Sequence, residues 1–160
     1  TVTAGNLSNT AIVYPAGHVV FIDHATVAAS GTSVTGQTSW TSTNMVSITV
    51  SAANIAKYSK ILVQAVGNYW STPATHNYPE WRIAETTDTV YGQAIQTGHQ
   101  GTTPGEITPV VTLVYYEDIS AQTDEHIFVV QWREGNGTDA YVGTVVPNLR
   151  GWYMTIWGIV

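Results

Sequence analysis

Residues 152–160 read WYMTIWGIV, and in extended backbone successive side chains point to opposite faces. Trp152, Met154, Ile156 and Val160 then share one face, and Tyr153, Thr155, Trp157 and Ile159 share the other. Both faces are predominantly apolar. One can fill a core, but the other must be covered too, because monomers seldom keep a large contiguous apolar patch. The excess recurs elsewhere in the chain. In ILVQAV, Leu62 and Val66 stand opposite Ile61, Val63 and Ala65, and in HIFVVQW, Phe128, Val130 and Trp132 stand opposite Ile127 and Val129. A two-layer body has only two inner faces. The surplus therefore implies a homo-oligomer with one sheet as its interface, for which Tyr153, Thr155, Trp157 and Ile159 are the candidate residues. Burying one Trp and one Ile per copy would contribute on the order of 4 kcal/mol.

The remaining periodicity is that of strands. MVSITVSA (45–52) alternates strictly, EWRIAET (80–86) and TVYGQAI (89–95) alternate, and HVVFIDHATVAA (18–29), KILVQAVGNYW (60–70), PVVTLVYYEDI (109–119) and EHIFVVQWRE (125–134) are long and largely apolar. With DAYVGTVV (139–146) and the terminal segment this makes eight or nine strands between polar Gly, Pro and Asn turns. The pattern predicts an all-β, antiparallel β-sandwich. SAANIAKYSK (51–60) has helical composition, but it is too short for a helix and reads as a turn or a short 3₁₀ piece. Residues 1–14 lack clear periodicity and read as a lead-in from an upstream shaft or domain. Pro15-Ala16-Gly17 opens a single domain over 15–160, and the start at Thr1 without Met reads as a fragment or processed product.

Composition excludes several functions. Charged residues are 10% of the chain, and the net charge of −6 with only five Lys and Arg argues against nucleic acid, whose phosphates need clustered cations. No apolar run is long enough for a spanning helix, so no membrane insertion is expected. Without cysteine there is no disulfide, thiolate nucleophile or thiolate zinc site. No nucleophile elbow or phosphate-cradling glycine loop appears. The carboxylates are too dispersed in sequence to nominate a catalytic pair, so no catalytic residue, metal site or cofactor is assigned. Asp124, Glu125 and His126 are adjacent, but neighbours on a strand face opposite ways, and the set reads as a polar turn before a core strand. His18 and His24, on a candidate interface strand, could meet their copies on a symmetry axis; the simpler expectation is solvated or hydrogen-bonded imidazoles.

VYPAGHVVFIDHAT (13–26), SITVSAANIAKYSKILVQAVGNYW (47–70), EWRIAETTDTVYG (80–92) and the closing apolar strand resemble the C-terminal domains of tail-fibre and related virion proteins of marine and cyanobacterial phages. The order of segments also resembles the trimeric jelly roll of the tumour-necrosis-factor and complement globular-head type. The resemblance spans roughly 13–160. It implies a jelly-roll homotrimer at a fibre tip, with the last strand near the threefold axis. The implied location is the virion, on a tail fibre or the capsid surface, with other virion proteins and a host surface component as partners.

GNYWSTPATHNYPEW (67–81) is unusually aromatic for a connection. Flat rings with polar neighbours suit recognition of a host cell-surface glycan or protein. Tyr69, Trp70, His76, Asn77 and Tyr78 are candidate ligand contacts; Trp70 and Trp81 are also suited to closing the mouth of the sandwich. The Gly-rich QTGHQGTTPGE (96–106) adds His99, and REGNGTD (133–139) is a third tip with hairpin chemistry at Asn136-Gly137. Whether these loops share one end is not legible from sequence. The expected role is a non-enzymatic trimeric fibre tip that binds the host; the alternative is a structural capping knob that drives trimerisation without a ligand.

Overall fold

The computed structural model describes residues 16–27, 34–35, 39–42, 45–71, 79–86, 90–92, 95–96, 110–134, 144–147 and 151–160. Their elements are β1 (Val19–Val27), β2 (Val34–Thr35), β3 (Ser47–Val50), α1 (Ala52–Ile55), β4 (Lys60–Ser71), β5 (Pro79–Glu85), β6 (Val90–Tyr91), β7 (Ile95–Gln96), β8 (Val110–Asp118), β9 (His126–Glu134), β10 (Thr144–Pro147) and β11 (Trp152–Ile159). The fold is all-β, as the alternation predicts, and every strand pairing is antiparallel.

Two sheets face each other in the manner of a sandwich. The first runs β1-β11-β4-β8, and β11 and β10 pair successive stretches of β4, with β2 beyond β10. The second runs β3-β9-β5, and β7 and β6 pair successive stretches of β5. TVYGQAI is therefore two short strands among the described residues, and the strand expected over 139–146 is described only as Thr144–Pro147. α1 corrects the expected turn or 3₁₀ piece. It is one α-helical turn, with the Ser51 carbonyl accepting from the amides of Asn54 and Ile55. A single turn cannot nucleate alone; Ile55, fully buried, ties it to the core.

The core lies where the inner faces meet. β11 contributes Trp152, Met154 and Ile156, β4 Ile61, Val63 and Ala65, and β9 Phe128, Val130 and Trp132. Each set is one phase of the alternation read from sequence. β1 does not alternate, and the structure shows why. Its register against β11 shifts between Phe21 and Asp23. This bulge re-phases the strand, so that Ile22 and Ala25, an odd number of residues apart, both pack on the core.

Three tryptophans fasten the two sheets at one end. Trp81 of β5 stacks on Trp152 of β11 at 5.0 Å between centroids and on Trp132 of β9 at 6.0 Å. The Trp152 Nε1–H donates to the Asn68 carbonyl at 3.1 Å, so its polar edge is satisfied while its rings are buried. At the opposite end the segment entering β1 and the end of β11 close on each other. The Gly17 amide donates to the Val160 carbonyl at 2.5 Å, and the Val160 amide to the His18 carbonyl at 3.1 Å. Tyr58 lies flat against Gly158, where an added Cβ would fall 2.4 Å from its ring.

The lower core holds ionisable groups. Glu85 and His126 are fully buried with Oε1 and Nδ1 3.6 Å apart, and the same oxygen accepts the Ile127 amide at 3.1 Å. Tyr115, 7% exposed, has its phenol pushed well above the usual range, first by burial and then by the Glu117 and Glu85 carboxylates. The protonated phenol is thus favoured by folding. Its contribution is complete below the unfolded pKa of about 10 and is lost as pH climbs beyond that value. Thermal melts between about pH 8 and 11 should show falling stability on the alkaline side, with a shallower fall in Tyr115→Phe.

Candidate functional site

Cross-strand registers build the outer face of the β1-β11-β4-β8 sheet in ranks. Val19, Ile159, Lys60 and Asp118 form the lowest rank, and above it Trp157, Leu62 and Tyr116 lie side by side. His24, Thr155, Gln64 and Val114 come next, then Thr26, Tyr153, Val66 and Thr112. Paired residues share a face, so the first, third and fourth ranks run across all four strands and the second across β11, β4 and β8. Tyr153, Thr155, Trp157 and Ile159 stand on this face together, opposite the core set, as the alternation predicts.

The face is open, and its apolar part centres on Val19, Ile159, Trp157, Leu62, Tyr116 and Val114. Val114 is 60% exposed, Tyr116 52%, Val19 54% and Tyr153 46%. Val19, Leu62, Gln64, Val114 and Trp157 line a cavity of about 240 Å³ on it. Charge is confined to its margin. A hydrogen bond to Tyr116 holds Lys60 above its ordinary pKa, with its ammonium 5.9 Å from the Tyr116 ring centre. Hydroxyl and amide hydrogen bonds from Ser120 hold Asp118 below the usual carboxylate range, at 2.7 and 3.0 Å. At the middle rank, exposed His24 has its Nδ1 3.1 Å from the Thr155 hydroxyl and its ring tilted against Tyr153. His18 is exposed as well. Among the described residues no group of three or more His, Asp and Glu comes together to hold a metal.

The candidate ligand contacts fare differently. Tyr69 and Trp70 lie within β4, paired with Pro147 and Val146 of β10, and their side chains are outside the described residues. His76, Asn77, Tyr78 and His99 also lie outside the described residues. The strands flanking their loops can be placed. Ser71 pairs with Val145, Pro79 with Glu134, Glu80 with Gln96 and Asn68 with Val110. The chain therefore leaves and re-enters the two sheets at one end for 72–78, 97–109 and 135–143, the end fastened by Trp81 and Trp152. Trp81 is wholly buried, so it serves the core and not recognition.

Sequence reasoning missed the buried Glu85–His126 pair. The signal was present: Glu85 is in phase with Trp81 and Ile83, and His126 with Phe128 and Trp132. His126 faces inward while Glu125 and Asp124 are exposed, so the three adjacent groups do not share a site. Comparison with protein-family models and with curated proteins finds no match for this chain.

Proposed function

We propose that the chain is a non-enzymatic, self-assembling jelly-roll module, the trimeric tip of a phage fibre, with the outer face of the β1-β11-β4-β8 sheet packed against two sister copies. The observation that carries this is the apolar patch of Val19, Ile159, Trp157, Leu62, Tyr116 and Val114 on the outer face, with charge only at its margin. Four strands at about 4.8 Å spacing and four ranks at about 6.8 Å make a face of roughly 500 Å² before side-chain relief is counted. Divided between two sister copies, that is less than the ~800 Å² per partner of a standard protein interface, so flanking surface of the sandwich supplies the rest. Strand order supports the jelly roll. Taking β6 with β7 as one strand and β10 with β11 as another, and leaving out the short β2, the sheets run first-eighth-third-sixth and second-seventh-fourth-fifth. The resemblance to trimeric phage fibre domains supplies the threefold symmetry and the virion location.

Assembly is one half of this role. Host attachment, through the aromatic loop at the end that β4 and β5 share, is the other half. Light scattering on the purified chain should return three times its 17.3 kDa mass. A particle of one chain mass at micromolar concentration would refute the assembly. Host-cell binding by the trimer, reduced by Tyr78→Ala, would support the attachment role; unaltered binding would remove the aromatic loop as the receptor site, and no host-cell binding at all would leave a capping knob.

A further inference from the structure

Not all of the outer face of the β1-β11-β4-β8 sheet is apolar. His24 lies in its third rank, level with Thr155, Gln64 and Val114, and is exposed. The rank beside it carries Trp157, Leu62 and Tyr116, so the imidazole borders the apolar patch. The ring is held there by β11. Its Nδ1 lies 3.1 Å from the Thr155 hydroxyl, and its plane is tilted 43° against Tyr153 with 6.3 Å between ring centres. A sister copy that covers Tyr153 and Thr155 therefore covers His24 with them.

Few ionisable groups surround it. On β1 itself, the Asp23 carboxylate accepts the His24 amide at 2.7 Å. Asp23 pairs with inward-facing Ile156, however, and His24 with outward-facing Thr155, so the two side chains leave opposite sides of the strand. On β11 the neighbours are Thr155 and Tyr153, and beyond them on β4 stands Gln64, none of them charged at neutral pH. β3, which packs on β1 from the second sheet, has no ionisable residue. Lys60 and Asp118 stand two ranks away, at the margin of the face.

A neutral imidazole can enter an apolar seam with its hydrogen bond to Thr155 kept. An imidazolium enters it at a heavy cost, because a charge taken from water without a counter-ion is strongly disfavoured. Imidazole is the side chain that ordinarily changes charge between about pH 5 and 8. Assembled chains then hold fewer protons at this position than separated chains do. Assembly is favoured above that range and opposed as pH falls through it.

We propose that His24 makes the assembly sensitive to acid: the copies hold together with neutral imidazoles and separate when these are protonated. The inference rests on the assembly proposed above and adds its regulation.

Light scattering on a dilution series of the purified chain, at about pH 7.5 and about pH 5.5, tests this. The parent should form the trimer at the higher pH and need about tenfold more protein to form it at the lower. His24→Gln, whose neutral amide can keep a hydrogen bond to Thr155, should assemble alike at both. His18→Gln should respond to pH as the parent does, since His18 precedes β1 and lies outside the third rank. Far-ultraviolet dichroism at both pH values separates dissociation from unfolding. A spectrum that collapses together with the mass would overturn the proposal, because acid would then act on the fold. So would a pH response that survives in His24→Gln or vanishes in His18→Gln, or a folded His24→Gln that assembles at neither pH. A parent trimer indifferent to pH refutes the switch and leaves the assembly standing. A parent that is a monomer at both values refutes the assembly and the switch together.

Discussion

Gly67→Ala should be among the most damaging single-methyl additions to this domain, costing about 3 kcal/mol. A Cβ built at position 67 falls 2.1 Å from Cδ2 of Trp152 and within 2.5 Å of Cγ and Cε2. No side-chain rotation at 67 relieves this, because Cβ is fixed by the backbone. Trp152 must move, and it is held on three sides: it stacks on Trp81 at 5.0 Å, bonds the Asn68 carbonyl at 3.1 Å and is buried to 1% exposure. Displacing it disturbs the tryptophan stack that joins the sheets. For a domain of this size the cost corresponds to a melting temperature lower by roughly 10 °C. Circular dichroism melts of Gly67→Ala, Trp152→Leu and the double variant form a cycle. In the Trp152→Leu background the alanine should cost far less, since the smaller side chain leaves room. Equal penalties in both backgrounds would show that Trp152 does not press on β4 at this point.

How much of this was legible in the sequence depends on how far apart the cooperating residues lie. The two faces of β11 follow from one nine-residue alternation, and the structure buries Trp152, Met154 and Ile156 while turning Tyr153 outward, as that alternation requires. The same holds for β4 and β9. β1 could not be phased, because a bulge between Phe21 and Asp23 leaves no trace in the local pattern. The cluster of Arg82 and Arg133 over the Trp40 ring was out of reach for a different reason. Its pairs, Arg82 with Gln131 and Arg133 with Glu80, join residues 49 and 53 positions apart, so they exist only once the β5–β9 register is known. Trp40 itself sits in a Ser- and Thr-rich stretch with no periodicity that would place it on either sheet. The Glu85–His126 pair lies between these cases. Each residue is in phase with a core face, which predicts burial, but only the fold brings the two together at 3.6 Å.

Trp157→Glu should dissolve the assembly while leaving the fold in place. Trp157 lies in the second rank of the outer face, level with Leu62 and Tyr116, and lines the cavity there. On the isolated chain its side chain is half-buried and faces away from the core residues Trp152, Met154 and Ile156, so a polar replacement leaves the inner packing untouched. In the assembly the change removes an aromatic contact worth about 2 kcal/mol and forces a carboxylate into an apolar seam, a further cost of about 2 kcal/mol or more. A total near 4 kcal/mol weakens each contact about a thousandfold, enough to turn a micromolar association into a millimolar one. Light scattering should then report a mass near 17.3 kDa, with a far-ultraviolet dichroism spectrum like that of the parent. Ile127→Glu is the matched control. Ile127 is exposed on the outer face of the other sheet, and a carboxylate there should leave the mass unchanged. If Ile127→Glu splits the particle and Trp157→Glu does not, the copies meet through the β3-β9-β5 sheet. The greasy side of β11 would then need another explanation.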